Sequence, residues 1–204
     1  AAIIWRTYAH SGLEEMAANS NVPVINSLSD DYHPCQLLAD LMTVQEHKGK
    51  TAGLTIAYIG DAANNMANSY LVACALAGMH VRVAAPAKYQ PNSDVVAKAR
   101  AIADLTGGSV SLSQSPAEAI AGADVVTTDT WISMGQESEK AQRIADFAGY
   151  TIDANLMSQA ATDAIFLHCL PAYRGYEVSA EVIDGPQSVI WDEAENRLHA
   201  QKAL

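Results

Sequence analysis

Short apolar segments alternate with helical segments along most of this chain, and the alternation limits the folds that it can adopt. Each apolar run is followed by a stretch with helical periodicity, and glycine or proline closes most of these units. Because strands that are apolar throughout are buried on both faces, the pattern predicts a parallel sheet with helices on both sides. The predicted fold class is α/β, with a doubly wound parallel sheet. The predicted strands lie at 1–6, 22–25, 54–59, 80–85, 109–112, 124–128, 164–167 and 188–191. The predicted helices lie at 34–47, 65–77, 93–105, 116–121 and 139–146, after a short one that opens with the capping-box spacing of residues 11–14.

The composition argues against two classes of partner. A formal net charge of −11 over 204 residues repels phosphate polymers and anionic lipids, so neither nucleic acid nor a membrane is an expected partner. The three cysteines, Cys35, Cys74 and Cys169, show no metal-ligand spacing and no even disulfide set, which favours a reducing compartment. The sequence has no apolar run of membrane-spanning length and no signal peptide pattern, so the expected location is the cytoplasm.

Both ends of the sequence have the pattern of an interior segment. A strand pattern starts at the first residue, and the helical pattern at 196–204 reaches the last residue without a stop signal. We therefore expect the chain to be a segment of a longer protein. One internal boundary is predicted near 48–52, where a Lys-Gly-Lys-Thr sequence follows the long helical pattern.

The sequence His-Pro-Cys-Gln-Leu-Leu-Ala-Asp at residues 33–40 marks the start of that long helix. Pro34 suits the first helical position because it has a fixed φ and no backbone N–H to leave unpaired. His33 and Gln36 then lie at a helix N-terminus, where free N–H groups and the helix dipole favour an anion. An imidazole and an amide at this position predict a site for a small anion.

Polar segments follow three of the predicted strands at their carboxyl ends. These segments are Gly-Asp-Ala-Ala-Asn-Asn at 60–65, Asp-Thr-Trp-Ile-Ser-Met-Gly at 129–135 and His-Cys-Leu-Pro at 168–171. Because parallel strands end at a common edge of the sheet, where such folds bind ligands, these segments are expected to converge on one pocket.

Each of these residues also has a purely structural interpretation. Asn64 and Asn65 can cap a helix, Asp129 can belong to a turn, and Cys169 can be a small buried apolar residue. His33 can likewise cap its helix, and Arg6 can form an edge salt bridge of little energetic weight. A nucleotide-binding loop at 60–65 is disfavoured because the Gly-x-Gly-x-x-Gly spacing is absent. The functional interpretation depends on all of these residues lying at one sheet edge.

The motifs at 33–40, 129–135 and 168–171, followed by Glu-Asn-Arg at 195–197, together resemble the aspartate/ornithine carbamoyltransferase family. The segment Gly-Asp-Ala-Ala-Asn-Asn-Met-Ala-Asn-Ser at 60–69 is similar to the bacterial ornithine carbamoyltransferases. The resemblance covers the whole chain. The His-Pro-x-Gln motif is common to transcarbamylases, whereas Ser-Met-Gly at 133–135 with His-Cys-Leu-Pro at 168–171 distinguishes the ornithine branch from the aspartate branch.

The resemblance implies transfer of the carbamoyl group from carbamoyl phosphate to the δ-amine of L-ornithine, giving L-citrulline and phosphate, within arginine metabolism. It implies two sets of binding residues and a catalytic set drawn from them. The carbamoyl phosphate set is Arg6, His33, Gln36, Cys169, Leu170 and Arg197. The ornithine set is Asn65, Asp129, Ser133 and Met134. The catalytic set is Arg6, His33, Cys169 and Asp129.

The implied chemistry is a direct displacement that relies on positioning and electrostatics. Guanidinium groups, an imidazole and a helix N-terminus suit the phosphate and the charge that grows on the carbonyl oxygen. Asp129 and Cys169 are expected to orient the amine or to relay its proton, and Cys169 is not expected to be a covalent nucleophile. The resemblance implies no cofactor and no metal, and a homotrimer or larger assembly of the full-length protein.

The chain also departs from the family pattern. The family's phosphate-binding Ser-x-Arg-Thr segment has no match here, nor does its last helix, and about the first third of the family's length is absent. Residues 1–47 are therefore expected to be the tail of a carbamoyl-phosphate-binding domain with its linking helix, and residues 48–204 the ornithine-binding domain. We expect the 204-residue chain alone to bind carbamoyl phosphate poorly. Three other interpretations stay open: a transcarbamylase for putrescine or acylated ornithine, a non-catalytic module of this fold, and the disfavoured nucleotide-binding domain.

Overall fold

The structure is a computed structural model that describes residues 1–133 and 135–204. Its first elements are β1 (Ile3–Arg6), α1 (His10–Asn19), β2 (Val24–Leu28), α2 (Pro34–Lys48), β3 (Thr55–Ile59), α3 (Asn65–Leu76), β4 (His80–Ala84), α4 (Ser93–Thr106) and β5 (Ser109–Ser113). They are followed by α5 (Pro116–Ile120), β6 (Val125–Thr128), α6 (Lys140–Asp146), α7 (Ala154–Met157), β7 (Ile165–His168), α8 (Ala180–Ile183) and α9 (Ile190–Ala203). Short 3₁₀ turns occupy Ala87–Tyr89 and Glu137–Glu139. No helix in the described ranges is long and apolar enough to cross a membrane.

The central sheet of the described chain has five parallel strands in the order β5-β4-β3-β6-β7. The chain runs outward from β3 to β5 in one direction and then returns to add β6 and β7 on the other side of β3. The strand order therefore reverses between β3 and β6, and a crevice at such a reversal is the usual ligand site of a doubly wound sheet. The predicted fold class is confirmed.

Both faces of the sheet are covered, as the apolar strands predict. Along β3, Ile56 and Tyr58 pack into a core with α2, α3 and α4, whereas Ala57 and Ile59 face a second core on the opposite side. This alternation explains why residues 56–59 of β3, all buried, are apolar at every position rather than at every second one.

The first strand differs from its prediction. The strand pattern at 1–6 suggested a buried strand, but Ile4 is 72% exposed and Arg6 is exposed. The reason is that β1 pairs in parallel only with β2, in a separate two-stranded sheet of the described residues, so one face of β1 has nothing packed on it.

The strand predicted at 188–191 is wrong. Ser188 forms only an isolated bridge with Phe166, and α9 begins at Ile190. A short apolar run cannot distinguish a strand from the buried first turn of a helix. Here the acidic residues Asp192 and Glu193 in the next positions favour a helix N-terminus through the helix dipole.

The capping box predicted at residues 11–14 is also wrong. Helix α1 begins at His10, its N-cap is Ala9, and no side chain caps it. The helix therefore starts two residues earlier than the box requires, and His10 Nδ1 lies 2.9 Å from Ser29 Oγ in this first turn.

The two helices that open toward the sheet edge start as predicted. Pro34 is the first residue of α2, which ends at Gly49 in the left-handed region at φ 73°. Asn64 caps α3 by accepting a hydrogen bond from the Ala67 N–H at 2.9 Å. The capping interpretation of Asn64 is therefore confirmed, while His33 makes no side-chain cap on α2.

Candidate active site

The carboxyl ends of β3 and β6 meet at the point where the strand order reverses. Gly60 directly follows β3 at φ 137°, and a Cβ there would lie 3.0 Å from Thr128 Oγ1 at the end of β6. A glycine is required both by this backbone angle and by this close approach. The next residues, Asp61 after β3 and Asp129 after β6, are therefore brought to the same edge, and both are buried.

Asp129 lies at the centre of this edge. Its Oδ1 accepts hydrogen bonds from the Thr130 N–H at 2.7 Å and from the Cys169 thiol at 3.3 Å. Its Oδ2 accepts from Asn64 Nδ2 at 3.2 Å. The ends of β6 and β7 and the start of α3 thus converge on one carboxyl group, as the sequence predicted for Asp129 and Cys169.

Burial controls the protonation of both central groups. Desolvation raises the pKa of the Asp129 carboxyl, although the nearby His168 and the hydrogen bonds from Thr130 and Cys169 partly lower it. Desolvation also raises the pKa of the Cys169 thiol well above its usual range, and the negative charge of Asp129 adds to this effect. Cys169 therefore keeps its proton at neutral pH and donates a hydrogen bond to Asp129, which is unlike a cysteine nucleophile.

We expect Cys169 to resist alkylation, since the thiolate and not the thiol is the reacting species. Iodoacetamide at pH 7 should leave Cys169 mostly unmodified over a period in which a free thiol in a peptide reacts fully, and the rate should increase at more alkaline pH. Mass spectrometry of the digested protein measures the modification. Rapid, stoichiometric alkylation of Cys169 at pH 7 would show that the thiol is ionised.

His168 and Glu177 lie behind this pair. The His168 Nδ1 accepts a hydrogen bond from the Leu170 N–H at 3.0 Å, and its Nε2 lies 3.4 Å from Glu177 Oε1. Both side chains are fully buried. Leu170 has φ 55°, a left-handed conformation that is rare for leucine. Sequence reasoning did not select His168 or Glu177 as site residues. His168 could have been selected because it belongs to the His-Cys-Leu-Pro motif, whereas no motif in the sequence contains Glu177.

The residues of the predicted anion site lie on α2 and α9 and at the end of β1. The His33 N–H donates to Ser69 Oγ at 2.8 Å, and its buried Nδ1 has no hydrogen-bond partner among the described residues. The side-chain oxygen of Gln36, Oε1, accepts from Arg197 Nη1 at 2.5 Å. Arg6, at the end of β1, is exposed and is close enough for its charge to act on His33. The structure therefore brings His33, Gln36 and Arg197 together, with Arg6 at the rim.

Burial, together with the positive charges of Arg197 and Arg6, lowers the pKa of His33 to about 4. His33 is therefore neutral at pH 7, with one ring nitrogen free to accept or donate.

His33 should make the protein less stable in mild acid. Between pH 6.5 and about 4 the unfolded state binds a proton at this histidine and the folded state does not, so the free energy of unfolding falls as the pH falls. His33→Gln should reduce this slope by up to about 1.4 kcal/mol per pH unit. Urea unfolding at several pH values measures the slope; identical slopes for the two proteins would contradict the lowered pKa.

The residues that the sequence predicted to bind ornithine lie in different environments. The Asn65 side chain donates to the Ser29 carbonyl oxygen at 2.8 Å, whereas its neighbour Asn64 contacts Asp129. The Ser133 N–H donates to Gln136 Oε1 at 3.0 Å in the loop after β6. Met134 lies outside the described residues.

A buried ion pair fixes the loop that carries Ser133. Arg143 of α6 pairs with Asp61, and both side chains are at most 5% exposed. The Arg143 Nε donates to the Trp131 carbonyl oxygen at 2.5 Å, and its guanidinium lies 4.8 Å from the centre of the Tyr89 ring. Sequence reasoning missed Arg143, because a single arginine in a helical pattern gives no signal of a distant partner.

The fold and this edge together define an α/β domain of the doubly wound class, with the helix start that carries His33 and Gln36 beside a buried Asp–Cys pair. Two family descriptions match the sequence: "Aspartate/ornithine carbamoyltransferase, Asp/Orn binding domain" over residues 52–204, and "Aspartate/ornithine carbamoyltransferase, carbamoyl-P binding domain" over residues 1–46. The chain therefore belongs to the aspartate/ornithine carbamoyltransferase family.

Curated relatives and solved structures agree with this assignment. An ornithine carbamoyltransferase of Renibacterium salmoninarum is 69% identical over 204 residues, which are 100% of this chain and 66% of that protein. One of Clavibacter sepedonicus is 66% identical over the same shares. The structure of ornithine carbamoyltransferase from Pyrococcus furiosus has a TM-score of 0.95 at 48% identity and covers 99% of this chain and 64% of that one. The chain thus spans just under two thirds of the length of the relatives that it matches.

Proposed function

We propose that the protein containing this chain is an ornithine carbamoyltransferase, which transfers the carbamoyl group of carbamoyl phosphate to the δ-amine of L-ornithine. The observation that carries the proposal is the meeting of two unlike half-sites at one sheet edge. His33, Gln36 and Arg197 form a half-site for an anion, and Asp129 with Cys169 forms a half-site for an amine. The names of the relatives support the same substrates.

The reaction in this site is a displacement at the carbonyl carbon. The neutral δ-amine attacks that carbon, the carbon–oxygen bond to phosphate breaks, and phosphate leaves with the bonding electrons. The amine nitrogen loses two protons: one before the attack, to Asp129 and on to solvent, and one after it, to the departing phosphate. Cys169, held as a thiol on Asp129, orients this carboxylate and forms no bond to substrate.

The anion half-site stabilises charge. Arg6 and Arg197 face the phosphate, His33 and Gln36 face the carbamoyl group, and Leu170 presents its backbone beside Cys169. Asn65, Ser133 and Met134 complete the ornithine half-site in this proposal. No cofactor and no metal takes part.

The same proposal assigns two parts to the chain. Residues 1–47 form the tail of the carbamoyl-phosphate-binding domain and the linking helix, and residues 48–204 form the ornithine-binding domain. The position of the two matched family regions supports this division. The full-length protein is proposed to assemble as a homotrimer or larger.

The acceptor is tested by an amine panel. The protein is expressed from its complete reading frame and assayed for phosphate release with carbamoyl phosphate and L-ornithine, L-aspartate, putrescine or acylated ornithine. We expect L-ornithine to give the highest kcat/KM. A higher value with another amine would replace ornithine as the acceptor, and no release with any amine would support a non-catalytic module.

Cys169→Ser should reduce turnover and leave part of it, because the hydroxyl can still donate to Asp129. Complete loss of turnover with an unchanged circular dichroism spectrum would contradict the orienting role.

The 204-residue chain itself should bind carbamoyl phosphate only weakly by calorimetry, and tight binding by this chain would contradict the proposed division of the site.

A further inference from the structure

Gln36 is held by two carboxyl groups that the proposed reaction does not use. Its Nε2 donates to Asp40 Oδ1 at 2.8 Å and to Glu193 Oε1 at 3.2 Å. The three side chains are at most 2% exposed. Since both hydrogens of the amide nitrogen are used within the protein, the carbonyl oxygen is the only polar atom of Gln36 left to face Arg197 and a ligand.

The remaining oxygens of the two carboxyls also have partners. The Tyr70 hydroxyl donates to Asp40 Oδ2 at 2.6 Å, and the His168 N–H donates to Glu193 Oε2 at 2.8 Å. The network therefore connects α2, α3 and α9 with the end of β7, next to Cys169. It joins the anion half-site to the amine half-site.

Two carboxylates this close in a buried position cannot both ionise without a large loss of free energy. Desolvation raises the pKa of Asp40 to about 6, and it raises the pKa of Glu193 well above its usual range, with the charge of Asp40 adding to the effect. The positive charge of Arg197 of α9 acts on Asp40 and partly lowers its pKa. The titratable groups around the two carboxyls are Tyr70 and Cys74 of α3, Arg197 of α9, and Cys169 after β7.

We propose that Asp40 and Glu193 share one proton and act as a positioning pair, which turns the Gln36 amide so that its carbonyl oxygen faces the ligand. Gln36 is then a hydrogen-bond acceptor, and the ligand group that it selects is an N–H donor. The carbamoyl NH₂ group is such a donor, and in this respect the inference rests on the proposed function.

The shared proton is tested by infrared spectroscopy of the protein near neutral pH. The wild type should show the carbonyl stretch of a buried carboxylic acid, and Glu193→Gln should remove one component of it, because Asp40, with a pKa of about 6, is ionised near neutral pH once the shared proton is gone. Glu195→Gln, an exposed acid on the same helix, is the matched control and should leave it unchanged. A carboxylic acid band that Glu193→Gln leaves unchanged would overturn the shared proton.

The positioning role is tested by a double-mutant cycle on the dissociation constant of carbamoyl phosphate, measured by calorimetry on the protein expressed from its complete reading frame. Glu193→Gln should weaken binding about 10- to 100-fold, since the new amide has one oxygen to accept from both Gln36 Nε2 and the His168 N–H. In a Gln36→Met background the same substitution should have little further effect. An equal effect in both backgrounds would overturn the role.

Two further results are possible: the Glu193 variant does not fold, or the wild type does not bind carbamoyl phosphate. If Glu193→Gln does not fold, as judged by circular dichroism, Asp40→Asn completes the same cycle, because its amide has one oxygen to accept from both Gln36 Nε2 and the Tyr70 hydroxyl. If the wild type does not bind carbamoyl phosphate, the proposed function fails, and the infrared comparison still decides whether the proton is shared.

Discussion

Replacing Asp129 by asparagine is expected to lower kcat/KM for ornithine by about 10²- to 10⁴-fold, the usual loss when a positioned proton acceptor is removed. The substitution keeps the shape of the side chain and removes its charge. It should also lower the pKa of Cys169 toward its ordinary value, because the charge of Asp129 is one of the causes that raise it. Steady-state kinetics measure the first effect, and the alkylation rate of Cys169 measures the second.

Asp124→Asn is the matched control for this prediction. Asp124 precedes the opposite end of β6 and accepts a hydrogen bond from the Thr55 N–H at 2.7 Å. Its replacement should lower stability and leave kcat/KM within a few-fold of the wild type. If the Asp124 and Asp129 variants lose activity equally, the carboxyl group at the ligand edge has no special role.

Arg143→Met is expected to lower the free energy of unfolding by about 3–5 kcal/mol, because it leaves Asp61 buried without its partner. It should also raise KM for ornithine, since Arg143 holds the Trp131 carbonyl at the start of the loop that carries Ser133. Urea unfolding and steady-state kinetics measure the two effects.

The exposed pair between Arg174 and Asp184 provides the comparison. The two side chains are about half exposed and are joined by hydrogen bonds of 2.8 and 2.6 Å. Arg174→Met should change the free energy of unfolding by less than about 1 kcal/mol. Equal losses for the Arg143 and Arg174 variants would contradict the dominant contribution of the buried pair.

Local patterns in the sequence predicted the features that depend on local physics. The apolar strands required a sheet covered on both faces, and Pro34 set the start of α2. The rule that parallel strands end at one edge was sufficient to bring Asp129 and Cys169 together. Where a local pattern admitted two structures, as in the apolar run that begins α9, the prediction was wrong.

Those local patterns could not predict the polar contacts between residues that are far apart in the sequence. Arg143 and Asp61 are 82 residues apart, and Gln36 and Glu193 are 157 residues apart. Their pairing depends on how the folded sheet places helices from distant parts of the chain, and no periodicity or spacing encodes it. The lowered pKa of His33 depends in the same way on the burial of its ring and on Arg197 of α9.

The proposed carbamoyl transfer is tested most directly by following the bond that it forms. The protein expressed from its complete reading frame is mixed with ¹³C-labelled carbamoyl phosphate and L-ornithine labelled with ¹⁵N at the δ-amine, and the product is observed by NMR. We expect a ¹³C resonance split by a directly bonded ¹⁵N, together with one phosphate for each product molecule. Release of phosphate without such a coupling, or no reaction at all, would contradict the proposed function.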